Sequence, residues 1–243
     1  MDVFDDLAAE FDQLDEILTG LDAPAWDRPS ACEGWSIADV VLHLAQTNEL
    51  VLASAAGHDS VFDREPGVAL DDVVDRLVAE DRGTAPEDLL ARWRTSAHGS
   101  LDALRTRDPK AKLLWAAAPL SPRTLATTRI AEHWAHALDI TGPLGTAYPD
   151  TSRLRHVAWL AHRTLPYALA AAGEQAGPVR CELTGPDGDH WEYGDPEAAS
   201  VIRGPAAEFC RVGARRLPAE RSTLAAQGPD AALALRHLRN YAV

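Results

Sequence analysis

Apolar residues recur at helical spacing through the first two thirds of the chain. Over 2–19, Val3, Leu7, Phe11, Leu14, Ile17 and Leu18 lie three and four apart, which predicts one amphipathic helix. Residues 22–34 carry prolines, acids and glycine and read as a loop. Ser36 then caps a second helix to about residue 55, with Asp39 at the third position, where an acid suits the helix dipole. Residues 57–69 read as irregular. A helical stretch from Leu70 breaks at 83–86 and resumes to about Arg107, keeping its period through Leu89, Leu90, Trp93, Ala97, Leu101 and Leu104. After a loop at 113–122, Ser121-Pro122 opens a helix that Gly142-Pro143 is expected to stop near Thr141. One more helix is predicted over 151–172.

The period changes after Gly173. Val179 to Thr184 alternates apolar and polar, Gly185-Pro186-Asp187-Gly188 supplies a turn, and His190 to Tyr193 resumes the alternation, a hairpin pattern. Residues 199–203 offer a third strand, Pro205 opens a helix to about Leu217, and 231–241 forms a last helix. The expected fold is mainly α: an antiparallel four-helix bundle over 1–173, then a small α+β domain over 178–243.

Composition narrows the function classes. A hydrophobic fraction of 46% and a charged fraction of 25% suit a soluble globular chain, and no apolar run approaches the length of a membrane span. The formal net charge of −14 opposes nucleic-acid binding, which depends on cations neutralising phosphates. The acidic, amphipathic N-terminus resembles neither a signal peptide nor a basic transit peptide, so the expected location is the cytoplasm. Cys32, Cys181 and Cys210 are far apart without metal-cluster spacing and read as small buried hydrophobes.

One constellation carries chemistry. Glu132 and His136, four apart, share a helical face and can chelate one ion, although the same spacing also serves a solvated ion pair. Asp139 continues that face and can hold the imidazole's second nitrogen. His43 lies in an apolar run, Val40-Val41-Leu42-His43-Leu44-Ala45, where an imidazole needs either a core hydrogen bond or a metal. His133 points about 100° away from its neighbours on an ideal helix and makes a poor ligand beside them.

The segment from Ser30 to Leu44, containing Gly34-Trp35-Ser36-Ile37-Ala38-Asp39 and His43-Leu44, resembles the signature of DinB-like metalloenzymes. The helix from Arg129 to Ile140 is similar to the second motif of their actinobacterial maleylpyruvate isomerase and mycothiol-dependent branch. The resemblance implies a DinB-like bundle with His43, Glu132 and His136 as ligands of a divalent metal, zinc or a similar ion. Two imidazoles and one carboxylate leave coordination positions open, as in catalytic sites. The resemblance further implies mycothiol as co-substrate, activated for isomerisation, conjugation or S-transfer on a small electrophile, in a monomer or homodimer.

Two other readings stay open: a thiol-independent hydrolase, lyase or cyclase, and a non-catalytic metal-binding protein. A water-activating enzyme needs an acid or base, for which Asp39 and His133 are candidates, Asp39 serving equally as a helix-dipole acid. Arg211, Arg215 and Arg216 are candidates for binding a carboxylate or the thiol cofactor's polar groups, Arg215 and Arg216 foremost, or form a solvated basic face. Gln46 and Asn48 either line the pocket or lie at the surface.

Overall fold

The computed structural model describes residues 2–58, 68–116 and 118–241; most of the segment read as irregular, 59–67, lies outside them. The mainly α architecture with a small sheet near the C-terminus is observed. Packing divides the chain between Tyr148 and Pro149 into two units.

In the first unit, helix α1 (Val3–Thr19) buries Val3, Leu7, Phe11, Leu14 and Leu18 of the predicted stripe and half-buries Ile17, and Asp2 caps it by accepting the Phe4 N–H at 2.9 Å. A short helix α2 (Ala23–Trp26) interrupts the expected loop. Asp22 caps it and a proline sits in its first turn, but four residues are too few to show a period. Helix α3 (Ile37–Ala56) begins in a reciprocal capping box: the Asp39 N–H donates to Ser36 Oγ at 3.1 Å, and the Ser36 N–H donates to Asp39 Oδ2 at 2.9 Å. Helices α4 (Leu70–Asp81) and α5 (Pro86–Thr106) follow, then α6 (Pro122–Leu144), capped by Ser121. Helices α1, α3, α5 and α6 pack as a four-helix bundle, with α4 against α3. Two bidentate ion pairs tie its surface. Arg92 grips Glu49 through Nε (2.7 Å) and Nη2 (2.9 Å), and Arg94 grips Asp15 through Nε (2.6 Å) and Nη2 (3.0 Å).

Helix α6 runs past the expected stop at Gly142-Pro143 and ends at Gly145, whose φ of 69° is the left-handed turn glycine favours. Pro143 sits close enough to the end that its ring costs little. Its missing N–H does leave the Asp139 carbonyl without its helical donor. The Ala31 N–H takes that carbonyl at 2.9 Å, and Arg28 Nη2 donates to the Pro143 carbonyl at 2.8 Å. A proline in α6 thus fastens the 28–35 loop onto the helix.

The second unit holds helix α7 (Leu154–Ala171), strands β1 (Val179–Thr184), β2 (His190–Tyr193) and β3 (Ser200–Pro205), helix α8 (Ala206–Gly213), a 3-10 turn (Ala219–Arg221), strand β4 (Ala225–Gln227) and helix α9 (Ala231–His237). The sequence reading gave α7 to the bundle domain. Its buried face, including Leu154, Val157, Ala161 and Leu165, packs on α8 and α9, so the contacts group it with the later elements. The sheet order is β2-β1-β3-β4; the hairpin β1–β2 is antiparallel as expected, and β3 runs parallel to β1. Val179, Cys181 and Leu183 fill one face of β1. Helix α8 ends at Gly213, short of the expected residue 217, because Arg215 takes a left-handed φ of 63°. Helix α9 stops at His237, before the expected residue 241. Strand β4 is fully exposed and has no alternation to read. No helix among the described residues is long and apolar enough to cross a membrane.

The capping box sets where α3 begins. Replacing Ser36 with alanine is expected to cost about 1 kcal/mol of unfolding free energy, read from the urea midpoint. An unshifted midpoint would deny the box its role.

Candidate metal centre

Helix α6 carries Glu132 and His136 one turn apart, and α3, packed against it, brings His43 to them. His43 Nε2 lies 2.8 Å from Glu132 Oε1, and His136 Nε2 lies 3.6 Å from the same oxygen. The three donor atoms lie within 4.8 Å of one another. The imidazole rings of His43 and His136 meet edge to face with centroids 5.0 Å apart. The Trp35 ring packs against His43 with centroids 5.2 Å apart, and its indole N–H is fixed by Asp75 Oδ1 at 2.9 Å. Two imidazole nitrogens and one carboxylate oxygen so close together are a donor set that could hold a zinc-type ion once the nitrogens facing it are deprotonated.

The charges are arranged around Glu132. Burial alone would raise its carboxyl pKa, but the imidazoles of His136 and His43 and the Arg129 guanidinium outweigh burial and hold it well below the usual carboxylate range. Burial lowers the His43 pKa against the pull of Glu132. Burial would lower His136 as well, yet Asp139, Cys32 and Glu132 together push it well above the ordinary histidine value.

Asp139 orients His136. Its Oδ2 accepts the His136 Nδ1–H at 2.9 Å, which leaves Nε2 to face His43 and Glu132. The same oxygen accepts Cys32 Sγ–H at 3.2 Å, with Sγ 3.8 Å from His136 Nδ1. This corrects the reading of Cys32 as a buried hydrophobe: it is half-buried and polar in its contacts, whereas Cys181 and Cys210 are buried, burial pushing the Cys181 thiol up to about 12. Cys32 arrives there because Ala31, its neighbour, bonds the carbonyl that Pro143 leaves free. The signal lay in the Asp139–Pro143 spacing, legible only once α6 is known to continue through the proline.

The remaining candidates are dispersed. His133 is fully buried on another face of α6, its ring edge-to-face with Phe11 at 4.6 Å. Its Nδ1–H donates to the Arg129 carbonyl at 2.9 Å, so Nε2 accepts, from Trp93 Nε1 at 3.4 Å and with Asn48 Nδ2 at 3.4 Å. Asp39 has both oxygens engaged, one by the Ser36 N–H and the other by Arg82 Nε at 3.0 Å. Gln46 donates to the Leu77 carbonyl and Asn48 is in the core. Arg215 and Arg216 lie in the second unit, Arg215 exposed. No spacing or periodicity in the sequence marks Arg129. It is only 2% exposed, with Nη2 3.7 Å from Glu132 Oε1, 3.3 Å from Thr47 Oγ1, and its guanidinium over the Trp115 ring at 5.4 Å.

Residues 7–141 match the family described as the mycothiol maleylpyruvate isomerase N-terminal domain, and the chain belongs to that family. Two proteins of Mycobacterium tuberculosis, from strains CDC 1551 / Oshkosh and ATCC 25618 / H37Rv and both described as uncharacterized, are each 34% identical over 230 residues, covering 93% of this chain and 90% of theirs. Crystal structures of a mycothiol-dependent maleylpyruvate isomerase and of a single-residue variant of it share the fold, with TM-scores of 0.63 and 0.62 at 16% identity, over 93% of this chain and 95% of theirs.

Burial lowers the His133 pKa from an ordinary 6.5 to about 3. A group depressed on folding contributes stability that is present above its unfolded value and is lost as pH falls toward its folded value. Unfolding free energy should therefore drop between those two values by up to about 1.4 kcal/mol per pH unit from this group. Urea titrations from about pH 7 to about pH 4 should show a shallower dependence for His133→Gln. Parallel curves for the two proteins would remove His133 from the acid response.

Proposed function

We propose that this protein is a metal-dependent enzyme that activates a low-molecular-weight thiol of the mycothiol type for isomerisation, conjugation or S-transfer on a small electrophile in the cytoplasm. The observation that carries the reading is the convergence of His43, Glu132 and His136 at the interface of α3 and α6. Membership of the family and the shared fold with a mycothiol-dependent maleylpyruvate isomerase support the choice of thiol.

A divalent ion bound there would supply Lewis acidity, lowering the pKa of a thiol and favouring its anion. The chain's own residues do the positioning. Asp139 fixes the His136 tautomer, and Trp35 braces His43. Glu132 provides the negative charge that draws a cation to the site, and its side chain, 29% exposed, marks the side open to a ligand. Thiol addition to an electrophile needs no protein nucleophile, which agrees with a site built of ligands and their supports. The water-activating alternative would need an acid or base; Asp39 is engaged by Ser36 and Arg82, and His133 is sealed among Phe11, Trp93 and Asn48.

Metal content after dialysis separates the ligands from their supports. Asp139→Asn should weaken metal affinity roughly 10–100-fold, as loss of an outer partner does, and His136→Ala by more. Undiminished metal in His136→Ala would refute the site.

Calorimetric titration of the metal-loaded protein with mycothiol should give saturable heat that disappears in the metal-free protein and in His43→Ala. No heat at millimolar thiol would sink the choice of thiol while leaving the metal assignment standing.

A further inference from the structure

Arg129 is a buried cation whose ion pair to Glu132 Oε1, at 3.7 Å, is too long for a hydrogen bond. Nine-tenths and more of its surface is covered, and its Nε has no hydrogen-bond partner among the described residues. Among the described residues Nη2 donates to the Thr47 hydroxyl at 3.3 Å, and that hydroxyl is itself a donor to the Leu44 carbonyl. The nearest carboxylate oxygen, Glu132 Oε1, is 3.7 Å away, beyond hydrogen-bonding distance, and is held by His43 at 2.8 Å. A buried guanidinium left in this state is costly, because desolvation is not offset by strong hydrogen bonds.

The same chain shows what this side chain's edge does when it is satisfied. Arg92 and Arg94 each use Nε and Nη2 together to hold one carboxylate, at 2.6–3.0 Å. In Arg129 that edge holds none. The guanidinium carbon lies over the Trp115 ring, 5.4 Å from its centroid, a cation–π contact that leaves the N–H groups as hydrogen-bond donors. Nη2 lies beside Glu132, the half-exposed member of the metal triad. Were Glu132 to ligate a dication, its single negative charge would be shared between the ion and Arg129, and the local charge would be strongly positive.

We propose that Arg129 is an anion-binding position of the site: it takes a carboxylate of the small molecule whose reacting end lies at the metal. The inference rests on the metal reading and not on which thiol is used. It assigns an acidic substrate or thiol and makes Arg129 the residue that selects it over a neutral analogue. A carboxylate suits the single planar fork; no second arginine or lysine contact is needed to seat it.

The test uses zinc-loaded protein and three probes: 3-mercaptopropionate, the neutral 2-mercaptoethanol, and propionate, titrated by calorimetry. Wild type should bind 3-mercaptopropionate at least about tenfold more tightly than 2-mercaptoethanol, and Arg129→Met should bring the two affinities together. Arg129→Lys, which keeps the charge and loses the fork, should retain only part of the preference, and serves if the methionine variant does not fold. Equal affinity for the two thiols in wild type, or a preference that survives in Arg129→Met, or an undiminished one in Arg129→Lys, overturns the proposal. If neither thiol binds, thiol activation is what has failed, and propionate decides Arg129. Tighter binding of propionate by wild type than by either variant supports the proposal; equal or undetectable binding overturns it. Zinc content, measured on every sample, shows separately whether the metal reading holds. An Arg129→Met protein that loses zinc but binds propionate as wild type does would reduce Arg129 to a support for Glu132.

Discussion

The bundle is organised around one carboxylate. Helix α6 carries Glu132 into the interface with α3, where an unpaired negative charge would cost several kcal/mol. Three cations or potential cations answer it: His43 from α3, His136 one turn on, and Arg129 one turn back. None is a generous partner, since burial disfavours the charged form of each, and the carboxylate stays ionised only because their pulls combine. Such an arrangement ties the register of α3 to that of α6. Sliding either helix by one turn would bring Glu132 opposite the Asp39–Val40 or the Gln46–Thr47 level of α3 instead of His43. A bundle core of leucine and alanine tolerates many registers; a core with one charged junction tolerates few.

Asp139 joins this junction to the loop before α3 by using both of its acceptor groups. The carboxylate holds His136 and Cys32, and the carbonyl, released from the helix ladder by Pro143, holds the Ala31 N–H. Backbone chemistry at one position and side-chain chemistry at another therefore converge on the same residue. The loop that delivers Trp35 to the face of His43 is the one anchored by Ala31 and Arg28. Helix α3, beginning immediately after, is started by the capping box of Ser36 and Asp39. Asp39 reads naturally as chemistry in the sequence because it stands one turn before His43, but its oxygens are used to start the helix that presents His43.

The features legible in the sequence are those with a period or a cap. The stripe from Val3 to Leu18, the box at Ser36, the hairpin around Gly185 to Gly188 and the four-residue spacing of Glu132 and His136 each follow from local geometry. What was not legible depends on partners far away in the chain. Arg129 looks like any helical arginine until α3 supplies Thr47 and the 113–120 loop supplies Trp115. Cys32 looks apolar until Asp139 meets it across 107 positions. Gly142-Pro143 is a sound stop signal that fails because proline near a helix end loses only one hydrogen bond, and here that carbonyl finds another donor. The grouping of α7 with the sheet has the same origin: its own periodicity says that one face is buried, and not against what.

The position of Cys32 bears on whether the triad is built to hold a bundle together or to act on a ligand. A structural zinc site is closed by four protein donors, very often with sulfur among them, and Cys32 lies close enough to His136 to look like the missing fourth. The ring says otherwise. Cys32 Sγ and Asp139 Oδ2 are on the Nδ1 side of the His136 imidazole, while His43 and Glu132 are on the Nε2 side. The two nitrogens of an imidazole point in divergent directions, so an ion on Nε2 is out of reach of that sulfur, and the two candidate donor groups share only His136. The thiol and the carboxylate act behind the ligand, where they set its tautomer and its basicity. Only His43, Glu132 and His136 would face an ion bound at Nε2, and Glu132, the most exposed of the three, stands beside Arg129. Were an ion bound there, it would stand beside a guanidinium whose Nε has no partner among the described residues and whose carboxylate is 3.7 Å away, an arrangement suited to a negatively charged molecule.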